Sequence, residues 1–492
     1  MRSDSDKCIF ANNSILHKMK YTITAFLFFL LVQISPSQEN QQKYIAPTDS
    51  LVVKKLAQWS NLKFGLLMHW GAYSQWGIVE SWSICPEDEE WCARKGVYSK
   101  DYSEYKKQYE NLKTTFNPEK FNPEKWAAAT AAAGMKYVVF TTKHHDGFCM
   151  FDTKQTNYKI TDAACPFSKN EHADVTKEIF KAFRKQQFLI GAYFSKPDWH
   201  CPDYWNPYFP PMDKNPNYDI KKYPEKWNNY IKFTTNQIEE LMKNYGKVDI
   251  LWLDGGWVRP SMKGEKRNSR FDNNQDIGMN NIAKMCRTYQ PGLIVVDRDV
   301  EGENQNYLTP EQSIPDKPLP FPWETCMTMA TSWSWIKNDT YKSSEKIIQT
   351  LAKIVSRGGN LLLNIAPNAN GELDSTAYVR LHDIGDWMKI NGEAIYNTIP
   401  VAPYEYNNWV FTKNGNLIYA ICLLQNETDK LPVSFDLPAF STPIKRTEVL
   451  GNKNAKVQFK TKSTGLYSFQ IPDLNKKVAS HVLVVKIELS EK

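Results

Sequence analysis

Six short, continuous apolar runs recur along the chain, at residues 64–68 (FGLLM), 137–141 (YVVFT), 189–194 (LIGAYF), 248–253 (VDILWL), 293–296 (LIVV) and 360–365 (NLLLNI). Runs of this length without alternation fit strands buried on both faces, as in a parallel sheet. Between them, residues 123–134, 174–187, 230–245 and 341–357 have helical spacing, with Asn122 as an N-cap, Gly134 as a stop and Gly358–Gly359 closing the last. Strand and helix alternating over residues 50–390 predict an α/β fold, an irregular (β/α)8 TIM-like barrel at 38–396. Beyond Asn391–Gly392 the period changes to two. Segments 409–412, 417–423, 433–437, 457–459, 466–470 and 481–487, separated by turn residues, predict a C-terminal antiparallel β-sandwich at 397–492.

The N-terminus reads differently. Lys18 and Lys20 precede an apolar run at 23–32 (ITAFLFFLLV), and Ser35 and Ser37 follow as small residues suited to cleavage. This predicts a signal peptide over 1–37, with Met19 as an alternative start and no stable membrane anchor after cleavage. The destination is then the periplasm, the extracellular space or a lysosome-like lumen, where cysteines can oxidise. Cys85 with Cys92 and Cys149 with Cys165 are the pairs close in sequence, although connectivity cannot be deduced from spacing. Net charge is +7, from 61 Lys+Arg against 54 Asp+Glu, and the lysines are scattered, so nucleic acid is not an indicated partner. The 16 Trp, 25 Tyr and 24 Phe offer flat apolar faces that suit sugars, or simply a ring-rich core.

Reactive groups of a parallel barrel sit at the C-terminal strand ends. The first run ends in His69, the second in Lys143-His144-His145-Asp146-Gly147, the third near Tyr193. Two imidazoles and a carboxylate are zinc-type ligands, but adjacent strand residues point to opposite faces unless the backbone turns. The fourth run ends in Asp254-Gly255-Gly256, a carboxylate at the mouth of an apolar strand, where desolvation is costly without a purpose. It suits a nucleophile, or equally a helix cap or a partner for Arg298 at the end of the fifth run. Glu311 and Glu324 lie beyond, and either could be a partner acid.

Residues 64–71 (FGLLMHWG), 141–148 (TTKHHDGF) and 251–256 (LWLDGG) resemble, in order, three signature segments of the α-L-fucosidases of glycoside hydrolase family 29. The resemblance implies an exo-acting, retaining hydrolase of terminal α-L-fucose on oligosaccharides or glycoconjugates, working without a metal or other cofactor. It implies Asp254 as nucleophile and His69, His144, His145, Tyr193, Trp252 and Arg298 as sugar ligands. The family's Glu–Trp pair fits Glu90–Trp91, with Glu80 and Trp82 in competition. The acid/base falls on Glu311, in a stretch (NYLTPEQ) like that of some members, with Glu324 as its rival and read as a strand-bound structural residue. Two other classes remain: a metal-dependent hydrolase using His144, His145 and Asp146, and a catalytically inactive sugar-binding protein. Linkage preference and oligomeric state have no readable code.

Overall fold

The computed structural model of the chain describes residues 44–86, 90–262, 264–265, 270–271, 273–424, 432–472 and 482–490. The targeting segment read at 1–37 lies outside them. All six apolar runs become strands: β1 (Phe64–Met68), β2 (Tyr137–Lys143), β3 (Leu189–Ser195), β4 (Ile250–Asp254), β5 (Ile294–Asp297) and, after β6 (Glu324–Thr328), β7 (Asn360–Asn364). They form one parallel sheet in the order β5-β4-β3-β2-β1-β7-β6. Every residue of β1, β2 and β3 is buried, which is why their apolar runs do not alternate.

Among the described residues this sheet has seven strands rather than eight. Between β5 and β6 runs an irregular segment, 304–312, that makes isolated bridges to both sides: Gln305 to Val296, Leu308 to Trp323 and Glu311 to Cys326. Pro310 has no N–H to donate and the neighbouring residues are largely polar, so no regular ladder forms there. The segment stands where an eighth strand would, and it carries Glu311.

Among the described residues eight α-helices accompany the sheet: α1 (Ser50–Leu62), α2 (Tyr102–Asn111), α3 (Pro123–Ala132), α4 (Val175–Lys185), α5 (Pro224–Asn244), α6 (Met279–Tyr289), α7 (Ser344–Ser356) and α8 (Ser375–Asn391). Five start on side-chain caps: Asp49, Asp101, Asn122, Asp174 and Ser343 accept from the backbone N–H of Leu51, Glu104, Lys125, Lys177 and Lys346. Helices α1, α2, α6 and α8 fall outside the stretches read as helical. Inside the curl, Leu67, Val139, Tyr193, Ile250, Trp252 and Val296 pack with Trp59 of α1, whose indole stacks 4.0 Å from the Tyr307 ring. None of the described helices is long and apolar enough to cross a membrane.

Among the described residues the C-terminal part holds two antiparallel sheets. One contains β8 (Ile399–Tyr406), β9 (Trp409–Asn414), β10 (Leu417–Cys422), β12 (Ile444–Val449), β13 (Asn452–Lys456) and β16 (Val484–Leu489); the other contains β11 (Ser434–Pro438), β14 (Gln458–Thr461) and β15 (Leu466–Gln470). Trp409 and Phe435 stack across them at 3.9 Å, over a shared core with Phe411, Ile418 and Phe469. This sandwich packs on the barrel: the Trp387 indole donates to the Val482 carbonyl at 2.7 Å, and Arg357 pairs with Glu405 at 2.6 Å. Cys149 and Cys165 are not bridged to each other; their buried thiols donate to the Gly147 and Phe116 carbonyls. Cys85 and Cys92 are both buried.

Candidate active site

The C-terminal ends of the strands open into a cavity of about 500 Å³. His69, His144, His145, Tyr193, Trp252, Asp254, Arg298 and Glu311 all line it, together with Glu80, Trp82, Trp91, Trp257 and Trp333.

Asp254 is the last residue of β4, and the chain turns sharply after it. Gly255 takes φ +90°, and a Cβ there would meet the Pro197 ring at 2.3 Å, so only glycine fits. Its N–H donates to Asp254 Oδ1 at 2.8 Å. The Tyr193 hydroxyl donates to Oδ2 at 2.7 Å, Arg298 Nη1 donates to Oδ1 at 3.1 Å, and His145 Nε2 lies 3.8 Å from Oδ2. Burial works against ionisation, but the Arg298 charge and the Tyr193 hydrogen bond outweigh it and hold the carboxyl well below the usual range. The other arm of Arg298, Nη2, donates to Glu311 Oε2. One guanidinium therefore joins the strand carboxylate to the loop carboxylate, whose side chain is 40% exposed at the mouth.

The two adjacent histidines reach the same cavity because the backbone turns. The β2–β3 register shifts between Thr141 and Lys143, and the Gly147 N–H closes a turn onto the His144 carbonyl at 3.1 Å. Gly147 has φ +80°, and a Cβ there would sit 2.2 Å from Asp198 Oδ1. Lys143 points away, into a buried ion pair with Asp198 at 3.0 Å.

Hydrogen bonds fix two tautomers. Asn364 donates from Nδ2 to the Trp333 carbonyl at 2.7 Å, so its Oδ1 faces His69 Nδ1 at 2.8 Å and that nitrogen carries the proton. The Ser195 hydroxyl donates to the Pro197 carbonyl at 2.7 Å, so it accepts from His145 Nδ1 at 2.6 Å. Both rings are left with an unprotonated Nε2. His144 Nδ1 contacts Ser81 Oγ. Burial lowers the pKa of all three histidines, His145 to about 4, so they are neutral imidazoles near neutral pH.

Two expectations are corrected, Glu90 as a cavity residue and Asp146 as a partner of the two histidines. Glu90 is exposed and does not line the cavity; the carboxyl group there belongs to Glu80, which is buried, has an Oε2 without a hydrogen-bond partner and is pushed up to about 8, chiefly by burial. Trp91 does line the cavity, at its rim, packed edge-on against Trp82. Glu324 begins β6 fully buried behind the cavity wall, accepting from the Tyr137 hydroxyl at 2.6 Å and the Trp252 indole at 3.3 Å, and burial pushes it up to about 7. Asp146 is likewise buried and takes the Tyr109 hydroxyl at 2.8 Å. Among the described residues, the group whose ligand atoms lie within 4.8 Å of one another is instead His144, His145 and Asp254. Residues not anticipated as part of the site are the wall indoles Trp257 and Trp333 and the imidazole partners Ser81, Ser195 and Asn364. Asn364 and Ser195 carried a signal, each as a polar residue at the end of an apolar run.

The family profile described as Alpha-L-fucosidase matches residues 31–393. Human plasma alpha-L-fucosidase is 28% identical over 366 residues, 71% of each chain. Alpha-L-fucosidase isoenzyme 1 from Paenibacillus thiaminolyticus superposes with a TM-score of 0.72 at 28% identity, over 90% of this chain and all of that one. A Bacteroides thetaiotaomicron enzyme of glycoside hydrolase family 29, solved as a trapped covalent intermediate with 2-fluoro-fucosyl fluoride, shares the fold at 21% identity, with a TM-score of 0.69 over 91% of this chain and 98% of its own. With three-quarters of its length matched by the profile and its strand-end residues gathered in one cavity, the chain belongs to the α-L-fucosidase family.

Proposed function

We propose that the protein releases terminal α-L-fucose from fucosylated glycans as an exo-acting, retaining hydrolase, by double displacement through a fucosyl–Asp254 ester. The observation that carries this reading is the Arg298 guanidinium held between Asp254 and Glu311. Retaining cleavage needs one ionised carboxylate to attack and a second carboxyl group to serve as acid and then base. Asp254 is kept ionised, on a rigid strand, by three donors. Glu311 sits on a partly exposed segment with access to leaving group and water.

In the first step an Asp254 oxygen attacks the anomeric carbon while Glu311 protonates the departing glycosidic oxygen. In the second, Glu311 takes a proton from water, the oxygen attacks the same carbon, and Asp254 leaves with net retention. The unprotonated Nε2 atoms of His69 and His145 accept from fucose hydroxyls, and His144 and Glu80 complete that polar wall. Trp82 and Trp252 offer apolar faces to the ring and its C6 methyl group, whose discrimination is worth only about 1–3 kcal/mol. The covalent intermediate trapped in the Bacteroides relative supports the ester step. The enzyme acts after export, its mature chain beginning near Gln38, which N-terminal sequencing of the secreted product checks. The activity itself is tested by product analysis on a panel of fucosylated oligosaccharides, with Asp254→Asn as control: fucose released by the wild type alone is expected, and none from any member contradicts the reading.

A further inference from the structure

The cavity has an aromatic wall that grades outward. His145, 1% exposed, stands 3.8 Å from Asp254 Oδ2. The half-buried Trp82 packs edge-on against His145 at 5.4 Å, and Trp91 packs on Trp82 at 5.3 Å. Trp91 is 57% exposed, an indole lying open to water yet lining the same cavity as the catalytic carboxylates. Two ring layers separate it from Asp254, so a single deoxyhexose seated with its anomeric carbon over that carboxylate contacts the inner ring and leaves the outer one uncovered. An indole that lines a reactive pocket and is open to water at its mouth presents a flat apolar face where the leaving group must pass. Lys214 adds a polar edge to this rim: its ammonium lies 5.4 Å from the Trp257 ring and 5.9 Å from the Trp82 ring.

We infer that Trp91 is the platform of a leaving-group subsite, stacking the C–H face of the pyranose to which fucose is attached. This rests on the proposed fucosidase activity and specifies its substrate class: the preferred substrate carries a sugar ring next to fucose, and fucose alone does not engage Trp91. The family resemblance had put Trp91 in the fucose pocket; its place outside Trp82 in the series of rings that leads from His145 assigns it to the next sugar, with Trp82 as the inner ring.

The test compares two substrates. α-L-Fucosyl fluoride has a single atom as leaving group and cannot reach Trp91; a fucosylated lactose fills the rim. For Trp91→Ala, the ratio of kcat/KM on the best fucosyl-lactose to kcat/KM on fucosyl fluoride is expected to fall roughly tenfold, carried by KM on the oligosaccharide, the scale of one lost ring contact. Trp91→Phe, which keeps a ring, is expected to restore most of the ratio. A ratio that stays at the wild-type value overturns the assignment, whether both substrates lose rate together or neither does. Because Trp91 is exposed, the substitution leaves no buried cavity, and fluoride release reports that the variant is folded. A wild type that releases no fluoride would instead overturn the fucosidase reading, and the subsite with it.

Discussion

The Tyr193 hydroxyl donates a 2.7 Å hydrogen bond to Oδ2 of Asp254. It serves the carboxylate oxygen that Arg298 and the Gly255 N–H do not. Donors on both oxygens keep the group ionised in a site whose burial favours the neutral acid. Tyr193→Phe removes one of them while its ring still stacks on Trp252 at 5.3 Å. A hydrogen bond to a charged group is worth about 1.5–3 kcal/mol, so kcat/KM is expected to drop roughly tenfold to a hundredfold. The sign of the pH effect is fixed: losing a donor to the anion raises the Asp254 pKa, and the acid limb of the kcat/KM profile moves to higher pH. An unmoved limb would show that Tyr193 does not hold this carboxylate.

Glu311 and Glu324 separate by rescue. Glu311→Ala should slow substrates with poor leaving groups most, and azide, which needs no general base, should recover part of the rate and yield fucosyl azide. Glu324→Ala should show no such recovery, because its carboxyl group serves Tyr137 and Trp252 rather than the cavity. Azide rescue of the second variant but not the first would reverse the two roles.

Glu324 also makes a stability prediction. Burial raises its carboxyl from an ordinary 4.5 to about 7. A carboxyl raised in the folded state keeps its proton where the unfolded chain has lost it. The associated stability is full below about pH 4.5 and is lost as pH climbs through about 7. Glu324→Gln cannot ionise, so the melting temperature of the variant minus that of the wild type is expected to grow from about pH 5 to about pH 8. Glu80 and Asp146, raised for the same reason, are present in both proteins and cancel in the difference. A difference that is flat or shrinks contradicts a neutral Glu324 in the core.

The imidazole–carboxylate group of His144, His145 and Asp254 is compact enough to hold a divalent ion. The double displacement assigned to Asp254 and Glu311 uses none. Dialysis against a chelator should therefore leave kcat/KM on fucosyl fluoride as it was. Loss of rate, restored by added zinc, would move the chemistry from the two carboxylates to a metal-bound water.

The barrel was legible because its strands bury both faces, and all six apolar runs carried that mark. The placement of polar groups at their ends was legible too: His69, His144, His145, Tyr193, Asp254 and Arg298 each lie at or near a strand's C-terminal end and each line the cavity. What stayed hidden depends on where loops return. Glu80 and Glu90 are both acids near tryptophans in one long connection, and only the path of the backbone buries the first and exposes the second. Ser81, Ser195 and Asn364 orient imidazoles that lie 63, 50 and 295 residues away, a relation no local spacing encodes. The eighth strand failed because Pro310 interrupts the segment that takes its place, which is also what leaves Glu311 on a partly exposed turn of chain.

The most direct test is chemical trapping. The protein is incubated with 2-fluoro-fucosyl fluoride, whose fluorine slows hydrolysis of the ester, and the labelled peptide is mapped by mass spectrometry. A single fluorofucosyl adduct on Asp254, absent from Asp254→Asn, is the predicted result; an adduct on any other side chain would contradict the mechanism at its root.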